Sequence, residues 1–338
     1  MRILLVSRYK EKYPSRQAPF VTEQGEAVRA LGNEVEFYLV NGSYFKQFFA
    51  LRKKIKEWKP DLVHAHYGLT GIVAEMQNMV PVVTTFHNGE THKWYVNLMC
   101  SLWSLRAKHV IYVAQHIYDK VYFKAKNYSI IPCGISLEDC FLIDKAEARK
   151  ELGWEQDKKY ILFGGAFYNL RKNYPLLREA VERVKSEKGK AKNVEWTKIE
   201  GGEQLGDVAC MEMWKRTRRE CILMMNAADV FALPTKNEGS PQALKEAMAC
   251  NCPVIATDIT DIKYMLGDIP GHYVLANKRG THADWIGDEN SAEELAGLLK
   301  KALAFEGRTR GRERLVEISY TNDLIAKKLV GIYEDIIR

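Results

Sequence analysis

Short runs of β-branched and aliphatic residues alternate with stretches at helical spacing along nearly the whole chain. That alternation is the pattern of βαβ units, which set strands parallel in one sheet and place helices on its faces. In the first half, strands are expected at Ile3–Ser7, Glu34–Val40, Leu62–His64, Val82–Thr85 and Val110–Val113. Helical stretches lie between them near Phe20–Leu31, Tyr44–Trp58, Leu69–Asn78 and Trp94–Arg106. The polar stretch Glu138–Lys158 lacks strand character. A second series follows it, with strands at Tyr160–Phe163, Val194–Ile199, Val230–Leu233 and Val254–Thr257, and Asn322–Ile337 closes the chain as an amphipathic helix.

A length of 338 residues exceeds what one hydrophobic core organises, so two domains of roughly 150 residues each are expected. The boundaries read as 1–140 and 141–320, with the helix at 321–338 expected to pack back on the first domain. Both domains read as α/β, doubly wound and Rossmann-like. No apolar run approaches the roughly 20 residues that span a bilayer, and Met1–Ser7 reads as a buried strand rather than a signal peptide. A cytoplasmic protein is the expectation. The seven cysteines are odd in number and scattered, so they form no disulfide framework, and Cys250 and Cys252 lack a second ligand pair at zinc-site spacing.

Charge is uneven. Residues 1–140 carry 18 Lys and Arg against 12 Asp and Glu, whereas the remainder carries 32 against 31. Anionic partners are therefore expected at the first half.

The most informative segment is ADVFALPTKNEGSPQALKEAMACNCPVIATD, from Ala228 to Asp258. A buried strand ends at Pro234, a polar loop runs over Thr235–Ser240, and Pro241 is expected in the first turn of a helix, where its missing N–H costs nothing. Ligands of open α/β sheets bind at such strand ends, and the unpaired N–H groups of a helix start favour an anion such as a diphosphate. Glu238 and Glu246 stand eight residues apart in this segment. A carboxylate accepts two hydroxyl hydrogen bonds, which suits a sugar or a ribose.

This segment resembles the E-x7-E motif of family 4 retaining glycosyltransferases, which have the GT-B fold of two Rossmann-like domains facing across a cleft. The resemblance implies that Glu238 contacts the donor hexose and Glu246 the ribose hydroxyls, with the backbone of Gly239 and Ser240 close to the sugar. Gly164-Gly165-Ala166-Phe167-Tyr168-Asn169-Leu170-Arg171-Lys172-Asn173 resembles the family's diphosphate clamp. Lys172 matches its lysine. Ala166 stands where its arginine belongs, and the adjacent Arg171 can take that place because a guanidinium holds phosphate bidentately. Asp61–His66, Pro81–Gly89 and Ile130–Ile135 resemble strand-end motifs of the first domain, with Cys133 in place of an asparagine. His87 matches the histidine beside the reacting centre, while His64 and His66 read as packing residues. Gln17-Ala18-Pro19-Phe20 stands where many members carry paired glycines, and this assigns Pro19 and Phe20, with His87, to the acceptor.

The resemblance implies retaining transfer of a hexose from a nucleoside-diphosphate sugar to a glycan or lipid-linked acceptor, with front-face departure and attack. Glu238, Lys172 and His87 are the residues assigned to catalysis. No Asp-x-Asp motif stands where a divalent ion would bridge the diphosphate, so transfer without metal or other cofactor is expected. Tyr44–Trp58 combines aromatic and basic residues and offers a surface for an anionic membrane at the inner face. Nucleic acid is not an expected partner, since no recognised binding motif interleaves the bases. Two alternatives stay open: a sugar-nucleotide epimerase of the same fold, and a catalytically lapsed partner protein that binds sugar nucleotides.

Overall fold

Ile3, Leu4, Leu5 and Val6 are all buried, the mark of a strand covered on both faces. In the computed structural model, which describes residues 1–11, 15–186, 195–277 and 289–338, they form β1 (Arg2–Arg8). The chain then runs through α1 (Pro19–Ala30), β2 (Glu34–Val40), α2 (Tyr44–Trp58), β3 (Leu62–His66), α3 (Gly68–Glu75), β4 (Val82–Phe86), α4 (Trp94–Ser104), β5 (His109–Tyr112), α5 (Gln115–Lys120) and β6 (Tyr128–Ile130). The strands form one parallel sheet in the order β2-β1-β3-β4-β5-β6, with Ile3 level with Val35 on one side and Leu62 on the other. Successive β1 side chains go to opposite faces. Ile3 and Leu5 pack with Val28 of α1 and with Ile325 and Leu329, whereas Leu4 and Val6 pack with Leu51 and Ile55 of α2.

By internal contact the described chain divides into two compact units, Met1–Ser136 with Ser319–Arg338, and Leu137–Ile318. The returning segment is stitched into the first unit by backbone hydrogen bonds from Ile135 N to Tyr320 O and from Asn322 N to Ile135 O. Gly134 allows this approach, because a Cβ there would lie 2.4 Å from Asn322 Oδ1.

The second unit begins with α6 (Lys145–Leu152), inside the stretch that lacks strand character. Asp144 caps it by accepting from the amides of Ala146 and Glu147, and Gly153 ends it at φ +68°. Then come β7 (Lys159–Phe163), α7 (Tyr174–Ser186), β8 (Thr197–Ile199), β9 (Gly202–Leu205), β10 (Val208–Glu212), α8 (Arg218–Ala227), β11 (Val230–Leu233), α9 (Gln242–Ala249), β12 (Val254–Thr257), α10 (Ile262–Leu266), β13 (His272–Leu275), α11 (Glu289–Ala304) and α12 (Gly311–Glu317). Helix α13 (Asn322–Ile337) belongs to the first unit, where the Tyr333 hydroxyl sits 2.5 Å from His64 Nδ1.

The second sheet has the order β13-β12-β11-β7-β10-β9-β8. Its β8, β9 and β10 pair antiparallel, joined at β9–β10 by Gly206, at φ +62°, and Asp207. The expected strand Val194–Ile199 is Thr197–Ile199, and Val194 lies outside the described residues. The polar β9 strand carries no hydrophobic alternation that would announce it. Leu69–Asn78 is shorter than expected as a helix and ends at Glu75.

Asp229, buried before β11, holds α6 to this sheet. Its carboxylate pairs with Arg149 at 2.8 Å and Lys145 at 2.6 Å and accepts from the Tyr160 amide at 2.7 Å. Arg149 is as buried as its partner, so Asp229→Ala would strand a cation out of water. A loss of about 3 kcal/mol in denaturant unfolding is expected, with Asp229→Asn losing less because its amide oxygen still accepts from Tyr160.

Candidate functional site

In the second unit the candidate residues sit at the carboxyl ends of the adjacent parallel strands β7 and β11. Gly164 and Gly165 end β7 where side chains would not fit. A Cβ on Gly164 would lie 2.6 Å from the Phe231 ring, and one on Gly165 would lie 2.8 Å from Lys172 Cγ. The loop after β11 is tied to the loop after β7 by hydrogen bonds from Lys236 N to Arg171 O at 2.9 Å and from Thr235 Oγ1 to the same carbonyl at 3.2 Å.

Glu238 is buried, and its carboxylate gathers the group. Lys172 Nζ lies 2.6 Å from Oε1, Thr235 Oγ1 lies 3.0 Å from the same oxygen, and Arg171 reaches Oε2 at 3.4 Å. Arg171 also donates to the Asn237 carbonyl at 2.8 Å. Burial pushes the Glu238 carboxyl up, but Lys172 and Arg171 outweigh it and hold the group below the ordinary carboxylate range. The cluster is thus an ionised carboxylate joined to two cations. Ala166 is buried, and the Arg171 guanidinium and Lys172 both reach the Glu238 carboxylate.

Glu246 stands apart from this contact cluster. It lies on α9, 3.7 Å from the Arg218 guanidinium of α8. Pro241, expected in the first turn, is instead the N-cap, with Gln242 the first helical residue. Gly239 and Ser240 are half-buried. Ser240 accepts a 2.7 Å hydrogen bond from Lys245, a fully buried lysine that sequence reasoning missed. Its signal was available: Lys245 falls on the buried stripe of α9 with Leu244 and Met248, where a charge must have a partner.

In the first unit, His87 follows β4 and is surrounded by rings. Phe20 lies 4.9 Å from it and Tyr67 4.9 Å, centroid to centroid, so Phe20 and His87 are brought together as acceptor candidates. Pro19 is exposed at the first position of α1. Lys10 and Tyr67 join the group unforeseen, with Lys10 Nζ 2.9 Å from the Tyr67 hydroxyl. Glu90 fixes the backbone by accepting from the amides of His87 at 3.1 Å and Gly68 at 2.9 Å.

His66 Nδ1 and His87 Nε2 are 3.1 Å apart, and the Gln24 amide nitrogen lies 3.5 Å from His66 Nε2. With that amide donating, His66 carries its proton on Nδ1 and gives it to His87 Nε2. His87 then holds its own proton on Nδ1, 3.7 Å from Cys133 Sγ. Burial lowers His66 to about 3 and pushes His64 and His87 well below the ordinary imidazole value, so all three stay neutral at neutral pH. Among the described residues, no three of His, Cys, Asp and Glu are placed to hold a metal ion.

A pH dependence follows. Unfolded, an imidazole binds its proton near pH 6.5, whereas folded His66 does so only near pH 3. Between those values the unfolded chain holds more protons, so stability falls as pH falls. The melting temperature of the wild-type chain should drop below pH 6.5 more steeply than that of His66→Gln; equal slopes would contradict the buried neutral stack.

The Glycosyltransferase Family 4 profile matches residues 9–139, and the Glycosyl transferases group 1 profile matches residues 158–303. A teichuronic acid biosynthesis glycosyltransferase of Bacillus subtilis (strain 168) is 26% identical over 233 residues, which are 63% of this chain and 57% of that protein. A UDP-Gal:alpha-D-GlcNAc-diphosphoundecaprenol alpha-1,3-galactosyltransferase of Escherichia coli is 26% identical over 241 residues, 63% of this chain and 62% of that protein. The chain thus spans little more than half the length of these curated relatives. Among solved structures, sucrose-phosphate synthase from Thermosynechococcus elongatus has a TM-score of 0.71 at 17% identity, covering 99% of this chain and 98% of its own. An Anabaena protein solved in complex with UDP-glucose has a TM-score of 0.66 at 13% identity, covering 99% and 100%.

Proposed function

The chain belongs to the glycosyltransferases of the family 4 and group 1 type, with two Rossmann-like units of GT-B class, and from that membership we propose that it transfers a hexose from a nucleoside-diphosphate sugar with retention of configuration. The observation that supports this most is the convergence of Lys172 and Arg171 on Glu238 at adjacent strand ends. Two cations fixed beside one carboxylate form an electrostatic socket for a diphosphate, while Oε2 of Glu238 keeps lone pairs for a sugar hydroxyl.

In the proposed reaction the bond from the anomeric carbon to the diphosphate oxygen breaks, and its electron pair stays on the phosphate. The acceptor oxygen bonds to the same face of that carbon, and its proton goes to the departing phosphate oxygen. Lys172 and Arg171 stabilise the charge that grows there, the kind of electrostatic contribution that is often the largest in catalysis. Glu238 positions the hexose, and Glu246 takes the ribose hydroxyls. Gly239 and Ser240 line the sugar, with Lys245 setting the Ser240 hydroxyl. On this reading no metal or other cofactor takes part. The acceptor, a glycan or a lipid-linked sugar, meets the first unit through Pro19, Phe20 and His87. His87 is neutral and hydrogen-bonded to His66, so it offers an uncharged ring rather than a cation.

A panel of nucleotide sugars tested by thermal shift should yield one donor that stabilises the chain, by about 2.7 kcal/mol at a hundred times its Kd. Lys172→Met should cut turnover of that donor by roughly a hundredfold or more, a loss of the size seen when one charge-stabilising donor is removed. Glu238→Ala should abolish turnover and also destabilise the second unit by about 2 kcal/mol, because it leaves Lys172 without its partner. A panel with no stabilising donor, or a Glu238→Ala chain that turns over donor normally, would end this reading.

A further inference from the structure

Helix α4 is inside out. The face it turns inward carries Asn97, Ser101 and Ser104, all buried, with Cys100. The face it turns outward carries Trp94, Tyr95, Leu98, Met99 and Leu102, with Leu105 just beyond its end. Every exposed position within this helix is apolar, and Trp94 is 68% exposed and Leu102 50%. A helix on a water-facing surface has the reverse distribution. Most of its inward polar groups bond locally: Ser101 donates to the Asn97 carbonyl, Ser104 to the Ser101 carbonyl, and the Asn97 side-chain NH2 to the Lys120 carbonyl, while Asn97 Oδ1 has no hydrogen-bond partner among the described residues. That last bond ties Lys120 to α4, and exposed Tyr122 and Phe123 follow it within three residues.

Charge identifies what covers it. Residues 91–118 contain no Asp or Glu, while Lys93, Arg106 and Lys108 are exposed at the two ends of the helix. Lys120, Lys124 and Lys126 follow, against the single carboxylate of Asp119. A second copy seated through this face would oppose like charges with only Asp119 to offset them. An anionic lipid surface meets both requirements, since Trp, Tyr, Leu and Met enter the boundary of the acyl chains and the bases meet the headgroups. Helix α2, where the sequence suggests a membrane contact, is less suited. It has exposed bases of its own in Lys46 and Lys56, but its Lys53 and Lys54 are paired with Glu57 and Glu36, and its strongly exposed apolar side chains are confined to Phe45 and Phe49.

We propose that α4 with the 120–124 segment docks the protein on an anionic phospholipid bilayer, α4 lying in the plane of the interface. This stands independently of the donor reading, because it draws on none of the residues assigned to the sugar nucleotide.

The test is co-sedimentation of the full chain with vesicles of phosphatidylglycerol and phosphatidylcholine, and with vesicles of phosphatidylcholine alone. Binding is expected on the anionic vesicles, weakening as salt rises. Leu98→Glu with Leu102→Glu should weaken it at least tenfold, since two exposed leucines would no longer leave water. Lys93→Ser and Lys108→Ser should each weaken it about fivefold. Phe45→Glu with Phe49→Glu should change it less than twofold. The substituted side chains are solvent-exposed, and unchanged melting temperatures would confirm that each variant folds; should the double leucine variant unfold, Trp94→Ser takes its place. Wild-type chain that ignores anionic vesicles overturns the proposal, as does a folded leucine variant that binds like wild type. So does a stable dimer in solution that the leucine variant dissociates, which would make the occupant a second copy. Donor stabilisation should survive in the leucine variant, so failure of the donor reading and failure of docking are separable.

Discussion

One carboxylate with two cations organises the second unit's strand ends. Glu238 stays charged in its buried position because Lys172 and Arg171 face it, and Lys172 is held by Glu238 while Arg171 is also anchored on the Asn237 carbonyl. These contacts join the loop after β7 to the loop after β11. The glycines at 164 and 165 make room for it, and Thr235 bonds both sides of the junction. Such a cluster is assembled before any ligand arrives, so a diphosphate would find its counter-charges already in place rather than having to order them.

The first unit contributes a different chemistry. Its strand-end histidines are stacked and neutral, with His66 hydrogen-bonded to His87, which makes a weakly polar wall beside Phe20 and Tyr67. The carboxyl-terminal helix takes part in holding that wall, since the Tyr333 hydroxyl bonds His64. Its packing against β1 through Ile325 and Leu329 explains why the last residues of the chain belong to the same core as the first.

Much of this was legible in the sequence because buried parallel strands read as continuous apolar runs. The spans Glu34–Val40, Tyr44–Trp58, Val230–Leu233, Val254–Thr257 and Asn322–Ile337 coincide residue for residue with the structure. The antiparallel β9 was hidden because its polar residues show no alternation, and α6 because its stability comes from a cap and from Asp229, far away in sequence. The side chains around Glu238 could be named from their motif, but the pairing of Arg171 with Glu238 could not, since it depends on a loop folding back over the sheet. Lys245 was overlooked because charge is read by default as surface, whereas the helical stretch near Trp94–Arg106 carried no reading of which face is buried. Periodicity reports that a helix has two faces, and only the packed structure says which of them is inside.

The place where a diphosphate binds decides most directly between these roles and others for the strand-end residues. A crystal structure with an intact nucleotide sugar should place diphosphate oxygens within about 3 Å of Lys172 Nζ and the Arg171 guanidinium, with a hexose hydroxyl on Glu238. A ligand bound elsewhere, with both cations still closed on Glu238, would contradict these roles.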